Sequence, residues 1–223
     1  MRTKTLLIAV AALAAGVLTS SAQTYSQNVV GYVNVVYKGA NAYTLVANPL
    51  DDGNGNIMTN IVGNLPAGST VTTWAGTGFN APIQKTAGGW PATAGISLPP
   101  GVAFFVKNGK ASPASPDFTN TFVGSVVVPV HASVTNVLAL GYNLAGSQIP
   151  YAGDLIADTN LNLQVPRQSS LTSWNVAAQG YDAPIGKTAG GWPSGATFVV
   201  TPGQGYFIKE GLFQTNWVQT LNP

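Results

Sequence analysis

The sequence predicts an all-β protein made of two tandem homologous modules of antiparallel strands, each sandwich-like or barrel-like, related by a pseudo-twofold axis. Three observations predict this fold: an internal repeat at an offset of 102 residues, short β-branched segments, and turns punctuated by 26 glycines and 15 prolines. The alternative is one continuous barrel built across both copies.

The first 22 residues have the pattern of a secretory signal peptide. Arg2 and Lys4 precede an uncharged apolar run over residues 6–18, and small residues lead to a cleavage position after Ala22. The run is shorter than the roughly twenty residues that a membrane-spanning helix needs, and an uncleaved anchor is the alternative. We therefore expect a secreted protein (periplasmic, on the outer surface or extracellular) with no membrane insertion after cleavage.

The mature chain is nearly neutral and poor in charge. Cleavage after residue 22 leaves 7 of the 9 basic residues, against 7 acidic ones. Only 7% of the whole chain is charged, where domains average about 25%. Neutrality argues against nucleic acid as a partner, and weak charge repulsion favours self-association. The chain has no cysteine, which excludes disulfides and thiolate metal ligands.

The repeat is clearest around a loop tryptophan. Residues 78–91 return as residues 180–193, with eleven of the fourteen positions identical. Residues 69–74 match residues 169–174 at an offset of 100 instead of 102. The second copy therefore has two more residues in the turn after its strand tryptophan.

The boundary between the modules is predicted between Lys110 and Asp117, where two Ser-Pro pairs indicate an exposed linker. The first module then covers residues 23–111, and the second covers residues 112–223. The final strand, near residues 213–218, is expected to pair close to the N-terminal strand and to close the two modules.

Each module is expected to contain short strands and one short helix. The segments that end at Trp74 and Trp174 alternate small polar with apolar side chains, which is the period of a strand. Apolar residues four apart, from Ile57 to Leu65, lie behind Asn56 as an N-cap and predict a helix. Residues 154–161 are the expected counterpart.

The chain offers little material for catalysis, so we predict that it is not an enzyme and rank a hydrolase last. His131 is the only histidine, and no Gly-x-Ser-x-Gly elbow accompanies it, which argues against a hydrolytic triad. A glycosidase needs two carboxylates across a cleft. Asp182 and Glu210, however, align with Asn80 and Asn108 in the other copy, so the acids are not part of the repeated set.

Two turns have the oxygen-rich pattern that calcium prefers, residues 51–56 and residues 158–162. The twelfth position counted from Asp52 is Gly63 instead of the glutamate that a calcium loop needs. Asn, Asp and Gly are also the residues that tight turns require. We therefore predict plain turns, no metal site and no cofactor.

The segment Lys-Thr-Ala-Gly-Gly-Trp-Pro, present twice, is the most distinctive motif. Its glycines and proline put Trp90 and Trp192 on loops, and Phe79 and Tyr181 precede them in sequence. Flat aromatic rings on loops can stack on sugar rings, and two equal sites would add avidity on a polysaccharide. These four residues are the candidate ligand-binding residues. The competing interpretation, that each loop tryptophan plugs the end of its own module, is favoured.

The order of these motifs resembles a family of secreted two-repeat β proteins from environmental Gram-negative bacteria. The resemblance covers nearly the whole mature chain: the start Tyr25-Ser26-Gln27-Asn28-Val29-Val30-Gly31-Tyr32-Val33-Asn34 and two rounds of Gly-Gly-Trp-Pro and Pro-Gly-x-x-Phe/Tyr-Phe-x-Lys. The family implies export and a duplicated β module, and it carries no established activity. Many members have Gly-x-Gly before the aromatic pair, whereas the first copy here has Val102-Ala103.

Export, neutrality and the shortage of catalytic residues favour a non-catalytic extracellular or cell-surface protein with a role in structure or adhesion. Its expected partners are other copies of itself or an extracellular polysaccharide. A carbohydrate-binding protein that uses the loop tryptophans is the alternative.

Overall fold

The computed structural model describes residues 30–39, 41–109, 116–127 and 132–221. The predicted signal peptide, the centre of the predicted linker and His131 lie outside these residues. The described residues confirm the all-β prediction, with fifteen strands, one α-helix and one 3-10 helix. Below, the first half means residues 30–127 and the second half means residues 132–221.

The first half contains six strands and both helices. In chain order these are β1 (Val30–Tyr37), β2 (Tyr43–Ala47), α1 (Met58–Ile61), β3 (Thr70–Thr73), β4 (Ile83–Gln84), the 3-10 helix (Ala92–Ala94), β5 (Ala103–Lys107) and β6 (Phe118–Ser125). The second half contains nine strands. They are β7 (Ser133–Leu138), β8 (Gly141–Gly146), β9 (Gly153–Asp154), β10 (Ser170–Asn175), β11 (Gly180–Tyr181), β12 (Ile185–Gly186), β13 (Val199–Val200), β14 (Gly205–Glu210) and β15 (Thr215–Thr220).

The main sheets of the two halves have the same strand order. In the first half β2, β5, β3 and β4 lie side by side, and in the second half β8, β14, β10 and β12 do the same. The registers also match, because Thr72 lies opposite Phe105 in one sheet and Thr172 lies opposite Phe207 in the other. All these pairings are antiparallel, and none of the described sheets closes into a barrel. The pseudo-twofold axis stays a prediction.

A two-stranded ribbon packs against each main sheet. β1 pairs with β6 over eight residues, and β7 pairs with β15 over six. The inward faces of the ribbons bury Phe122 of β6 and Trp217 of β15. The expected pairing of the C-terminal strand with the N-terminal strand is therefore wrong, because β15 pairs with β7 over its whole length and not with β1.

Each half has its own hydrophobic core between its main sheet and its ribbon. Phe104 of β5 and Phe122 of β6 share the first core, while Tyr206 of β14 and Trp217 of β15 share the second. β6 thus packs with the first half, although the boundary predicted at residues 111/112 assigns it to the second module. The division between the cores lies further along the chain, near residue 127.

The predicted helices are only partly present. α1 covers Met58–Ile61, and Ile57 rather than Asn56 occupies its N-cap position. Of residues 154–161, Asp154 belongs to β9 and residues 155–161 form turns instead of the expected second helix, because the Asp158 carboxylate accepts hydrogen bonds from the backbone amides of Asn160 (2.7 Å) and Leu161 (3.2 Å). Such local bonds compete with helix formation. Within the described ranges, neither helix has the length and apolar character needed to cross a bilayer.

The two main sheets meet through reciprocal backbone hydrogen bonds. The amide of Ala47 donates to the carbonyl of Gly203 (2.9 Å), and the amide of Gly146 donates to the carbonyl of Gly101 (2.9 Å). Ala47 and Gly146 are equivalent positions of β2 and β8, and they touch each other. A Cβ atom added at Gly146 would overlap the Cβ of Ala47, so this contact has room for only one methyl group.

A second contact between the halves, also with room for one methyl group, explains why only the second copy has the Gly-x-Gly motif. Gly205 of the second copy corresponds to Ala103 of the first, and a Cβ at Gly205 would lie 3.0 Å from both the Ala103 Cβ and the Leu45 Cγ. Ala103, which stands in the first copy where the second has the last glycine of the motif, therefore supplies the single methyl group of this second contact.

Candidate functional site

The strands that feed the two cores also feed a third cluster between the halves. Side chains alternate along a strand, so β5 and β14 each turn one face to a core and the other face to the opposite half. Phe104 packs in the first core, whereas its neighbour Phe105 packs in the third cluster with Phe207. Phe207 in turn follows Tyr206, which packs in the second core.

Eight aromatic side chains surround this contact between the halves. This aromatic cluster consists of Tyr43, Trp74, Phe79, Phe105, Tyr142, Trp174, Tyr181 and Phe207. Its neighbouring rings meet edge to face, with centroids 4.9–6.4 Å apart and interplanar angles of 68–89°. Edge-to-face pairs are favourable because the positive edge of one ring meets the negative face of the next.

Two tryptophans of the cluster reach across to the opposite half. Trp174 Nε1 donates to the carbonyl oxygen of Tyr43 (2.9 Å), and Trp74 Nε1 donates to the carbonyl oxygen of Tyr142 (3.3 Å). Tyr43 and Tyr142 are themselves equivalent, since they lie opposite the repeated lysines of β5 and β14. The strand tryptophans thus connect the halves.

A cleft of about 530 Å³ opens beside the aromatic cluster. Its aromatic lining consists of Trp74, Phe79, Tyr142, Tyr181 and Phe207, and its other lining residues are Ser170, Thr172, Asp182, Pro184 and Lys209. Tyr142 is 53% exposed, Tyr181 51% and Phe79 45%. These three rings are therefore accessible to a ligand. Since neighbouring rings stand nearly perpendicular, they form concave walls and not a single flat platform.

Asp182 and Lys209 give the cleft two opposite charges. Hydrogen bonds from the Ser173 hydroxyl (2.6 Å) and the Asn175 side-chain amide (3.0 Å) lower the pKa of Asp182, so its carboxylate is ionised at neutral pH. The Lys209 ammonium lies 5.6 Å from the centroid of the Tyr142 ring, over its face. Partial burial raises the pKa of Tyr181, whose hydroxyl therefore stays protonated at neutral pH.

The loop tryptophans lie elsewhere. Trp90 packs against the first core and Trp192 against the second, and both are partly buried. Neither of them lines the cleft. Of the four candidate ligand-binding residues, the structure therefore brings only Phe79 and Tyr181 together, both in contact with Phe207.

Each loop tryptophan covers a lysine that binds backbone carbonyls. Lys85 Nζ donates to the carbonyls of Gly63 (2.6 Å) and Leu65 (2.7 Å) and lies 5.9 Å from the centroid of the Trp90 ring. In the second half, Lys187 Nζ donates to the carbonyl of Val165 (2.7 Å) and lies 5.7 Å from the Trp192 ring. This geometry favours a structural role for the repeated motif, and ligand binding by its tryptophans stays a prediction.

Sequence patterns did not identify Trp74, Tyr142 and Phe207 as site residues. Trp74 ends a strand-like alternating segment, and Phe207 follows the repeated Pro-Gly turn, so both patterns were assigned to strands. One signal could have found them. It is an aromatic side chain on the strand face opposite to the face that packs in the core of the same half.

The two additional residues of the second copy change the opposite side of the aromatic cluster. They lengthen the turn between β10 and β11, which contains Gln179. The Gln179 side chain accepts a hydrogen bond from the amide of Tyr43 (2.6 Å) and donates one to its carbonyl (3.1 Å). The shorter turn of the first copy, residues 75–78, contains no glutamine. Gln179 thus occupies the side of the aromatic cluster at Tyr43, whereas the side at Tyr142 lines the cleft.

The oxygen-rich segment at residues 51–56 is a hydrogen-bonded turn. The carboxylate of Asp52 accepts from the backbone amides of Asn54 and Asn56, both at 2.8 Å. Asn56 has a left-handed backbone, with φ of 53°, which asparagine tolerates better than most residues. Among the described residues, no group of three Asp, Glu, His or Cys side chains gathers closely enough to hold a metal ion.

Comparison with known proteins assigns the chain to no family. No protein-family model matches the chain, and no match is found among curated proteins or among solved structures.

Proposed function

We propose that this protein is an exported, non-catalytic adhesion protein that binds carbohydrate in the cleft between its two halves. The observation that carries the proposal is the set of exposed, concave aromatic walls around Asp182. A cleft of about 530 Å³ is in the range of small-molecule sites, which typically combine apolar walls with a few polar groups.

The lining suits the two-sided chemistry of a sugar. The C–H faces of a pyranose ring can pack against Tyr142, Tyr181 or Phe79, which are all about half exposed. The hydroxyl groups around the ring can donate to the Asp182 carboxylate and accept from the Lys209 ammonium. Burial of the apolar faces supplies affinity, and the two charged groups fix the orientation of the sugar.

The same lining supports binding without turnover. Glycoside hydrolysis needs two carboxyl groups across the scissile bond, and Asp182 is the one carboxylate in the lining of the cleft as the described residues form it. Hydrogen bonds from Ser173 and Asn175 lower the pKa of Asp182, which makes it a weak general acid at neutral pH.

Export and adhesion are supported by the sequence. The N-terminal segment has the basic, apolar and small-residue order of a signal peptide, and the motif order resembles that of secreted two-repeat β proteins. The low charge of the mature chain also suits a neutral polysaccharide better than a polyelectrolyte.

A glycan array followed by titration calorimetry on the glycans that bind tests this proposal. Tyr142→Ala and Tyr181→Ala should each weaken binding at least about tenfold, or about 1.4 kcal/mol. Phe213→Ala is the matched control, because Phe213 is an exposed aromatic residue (57%) outside the cleft, and it should bind like the wild type. Absence of any glycan binding, or binding that depends on Trp90 and Trp192 instead of the cleft tyrosines, would contradict the proposal.

A further inference from the structure

Among the described residues, no strand pairs with one of the two edges of β1. Its other edge pairs with β6 along the whole strand, and no further described strand joins this ribbon. None of the residues from Val30 to Tyr37 is charged or proline, although natural proteins usually protect edge strands with such residues or with a covering segment. β1 is thus unprotected by its sequence.

The equivalent strand of the second half has a cover that β1 lacks. Gln148 Nε2 donates to the backbone carbonyl of Thr135 in β7 (3.4 Å) and also to the side chain of Asn136. Because Tyr43 is equivalent to Tyr142, the position equivalent to Gln148 in the first half is Pro49. Proline has no side-chain donor, so the edge of β1 receives no corresponding hydrogen bond.

Open space follows the edge of β1 over most of its length. Residues 31–34 line a groove of about 520 Å³, and residues 34–36 line a second groove of about 250 Å³. The two grooves share Asn34, Thr201 and Pro202 in their linings, and no lining residue of either groove is charged. The free edge is therefore accessible and electrically neutral.

We infer that β1 is the surface through which two copies of this chain associate, by antiparallel pairing of β1 with β1 of the second copy. Such pairing joins the two ribbons into one four-stranded sheet and satisfies the free backbone groups of both strands at once. It is also compatible with twofold symmetry, which most homodimers have. Eight residues of β-strand extend about 27 Å.

A second copy suits this edge better than an unrelated charged partner. The strand and both grooves lack charge, and the mature chain has equal numbers of acidic and basic residues. Two identical neutral edges therefore meet without repulsion, whereas a charged partner strand would lose hydration without gaining an ion pair.

Light scattering coupled to size-exclusion chromatography over a wide range of protein concentration tests the inference. The wild type should double its mass as concentration rises. Asn34→Lys should remain a monomer, because it puts two ammonium groups close together near the middle of the paired strands. Val137→Lys is the matched control, since Val137 is exposed near the end of β7, whose edge Gln148 covers. It should dimerise like the wild type.

Circular dichroism and thermal melting check that both variants are folded. Hydrogen exchange on the wild type gives a readout that needs no variant, because amides of β1 should become more protected as concentration rises. A wild type that stays monomeric, equal mass for Asn34→Lys and the wild type, loss of the dimer in Val137→Lys, or exchange of β1 amides that is independent of concentration would each overturn the inference.

Discussion

Trp174 in the second half donates its indole hydrogen bond to the backbone carbonyl oxygen of Tyr43 in the first half, at 2.9 Å. The ring of Trp174 also packs edge to face on Phe105, with centroids 4.9 Å apart. One side chain therefore joins the last residues of β10 to both the edge and the middle of the opposite sheet. The reciprocal bond, from Trp74 to Tyr142, is longer at 3.3 Å.

Trp174→Phe should destabilise the protein more than Trp74→Phe. The change removes the shorter of the two tryptophan hydrogen bonds between the halves, and we expect the free energy of unfolding to fall by about 0.5–1.5 kcal/mol. Urea unfolding followed by circular dichroism measures the difference. A larger loss of stability in Trp74→Phe would show that the lengths of the two hydrogen bonds do not determine their contributions to the free energy of unfolding.

Gly146→Ala should destabilise the contact between the halves. The new methyl group would overlap that of Ala47, and overpacking of this kind costs about 1–3 kcal/mol. The double variant Ala47→Gly/Gly146→Ala moves the single methyl group to the other strand and should recover most of the loss. Thermal melting of the two single variants and the double variant forms a double-mutant cycle. Equal melting temperatures for Gly146→Ala and the double variant would disprove the inference that this contact has room for only one methyl group.

Lys85→Met should cost more stability than Lys187→Met. Lys85 donates to two backbone carbonyls and Lys187 to one, and hydrogen bonds from a charged donor contribute about 1.5–3 kcal/mol each. Chemical unfolding measures the two losses. The proposed carbohydrate binding in the cleft should be unchanged in the folded variants, and its loss in Lys187→Met would indicate that the loop motif contributes to the binding site.

Glu210→Gln should stabilise the protein at neutral pH. Glu210 is buried, with 1% of its surface exposed, and burial raises its pKa, while hydrogen bonds from Thr215 and Ser169 and the charge of Lys187 act in the opposite direction. A raised pKa means that the folded state binds the proton more tightly than the unfolded state. Stability is therefore greatest below the ordinary carboxyl range and falls as pH rises through it towards the raised pKa. The equivalent residue of the first half is already an amide, Asn108.

The pH dependence of the melting temperature distinguishes this effect from simple repacking. The advantage of Glu210→Gln should disappear in acid, where the glutamate of the wild type is protonated in both states. Asp117→Asn is the control of opposite sign, because the hydrogen bond from Lys38 lowers the pKa of Asp117. Its effect should be a small loss of stability at neutral pH that vanishes in acid, since the pair is exposed. If Glu210→Gln still melts at a higher temperature than the wild type in acid, the effect does not come from the ionisation of Glu210.

The repeat predicted the strands well because strand pairing depends on short-range patterns that both copies keep. Ser69–Trp74 and Ser169–Trp174 each contain a strand, and the strands that follow the two Pro-Gly turns pair with them in matching register. The prediction of a second helix was wrong, and the reason is equally local. Asp158 accepts hydrogen bonds from two backbone amides and so stabilises turns over residues 155–161.

The candidate site was predictable only in part, because it forms from two halves whose contact has no signature within either one. Phe79 and Tyr181 could be found since they belong to the repeated motif, but their neighbours in space are the strand tryptophans and not the loop tryptophans. Trp90 and Trp192 look equally suitable for a ligand in the sequence. Only the positions of Lys85 and Lys187 beneath them indicate why both copies keep an indole there.

The contact between Ala47 and Gly146 makes the two halves complementary instead of interchangeable. Two first halves brought together in the same way would set one Ala47 against another, and their methyl groups would overlap. Two second halves would set glycine against glycine and leave the space of a methyl group unfilled. Each half therefore fits the other half of its own chain better than a copy of itself. This inequality therefore disfavours the association of two first halves, or of two second halves, from different chains.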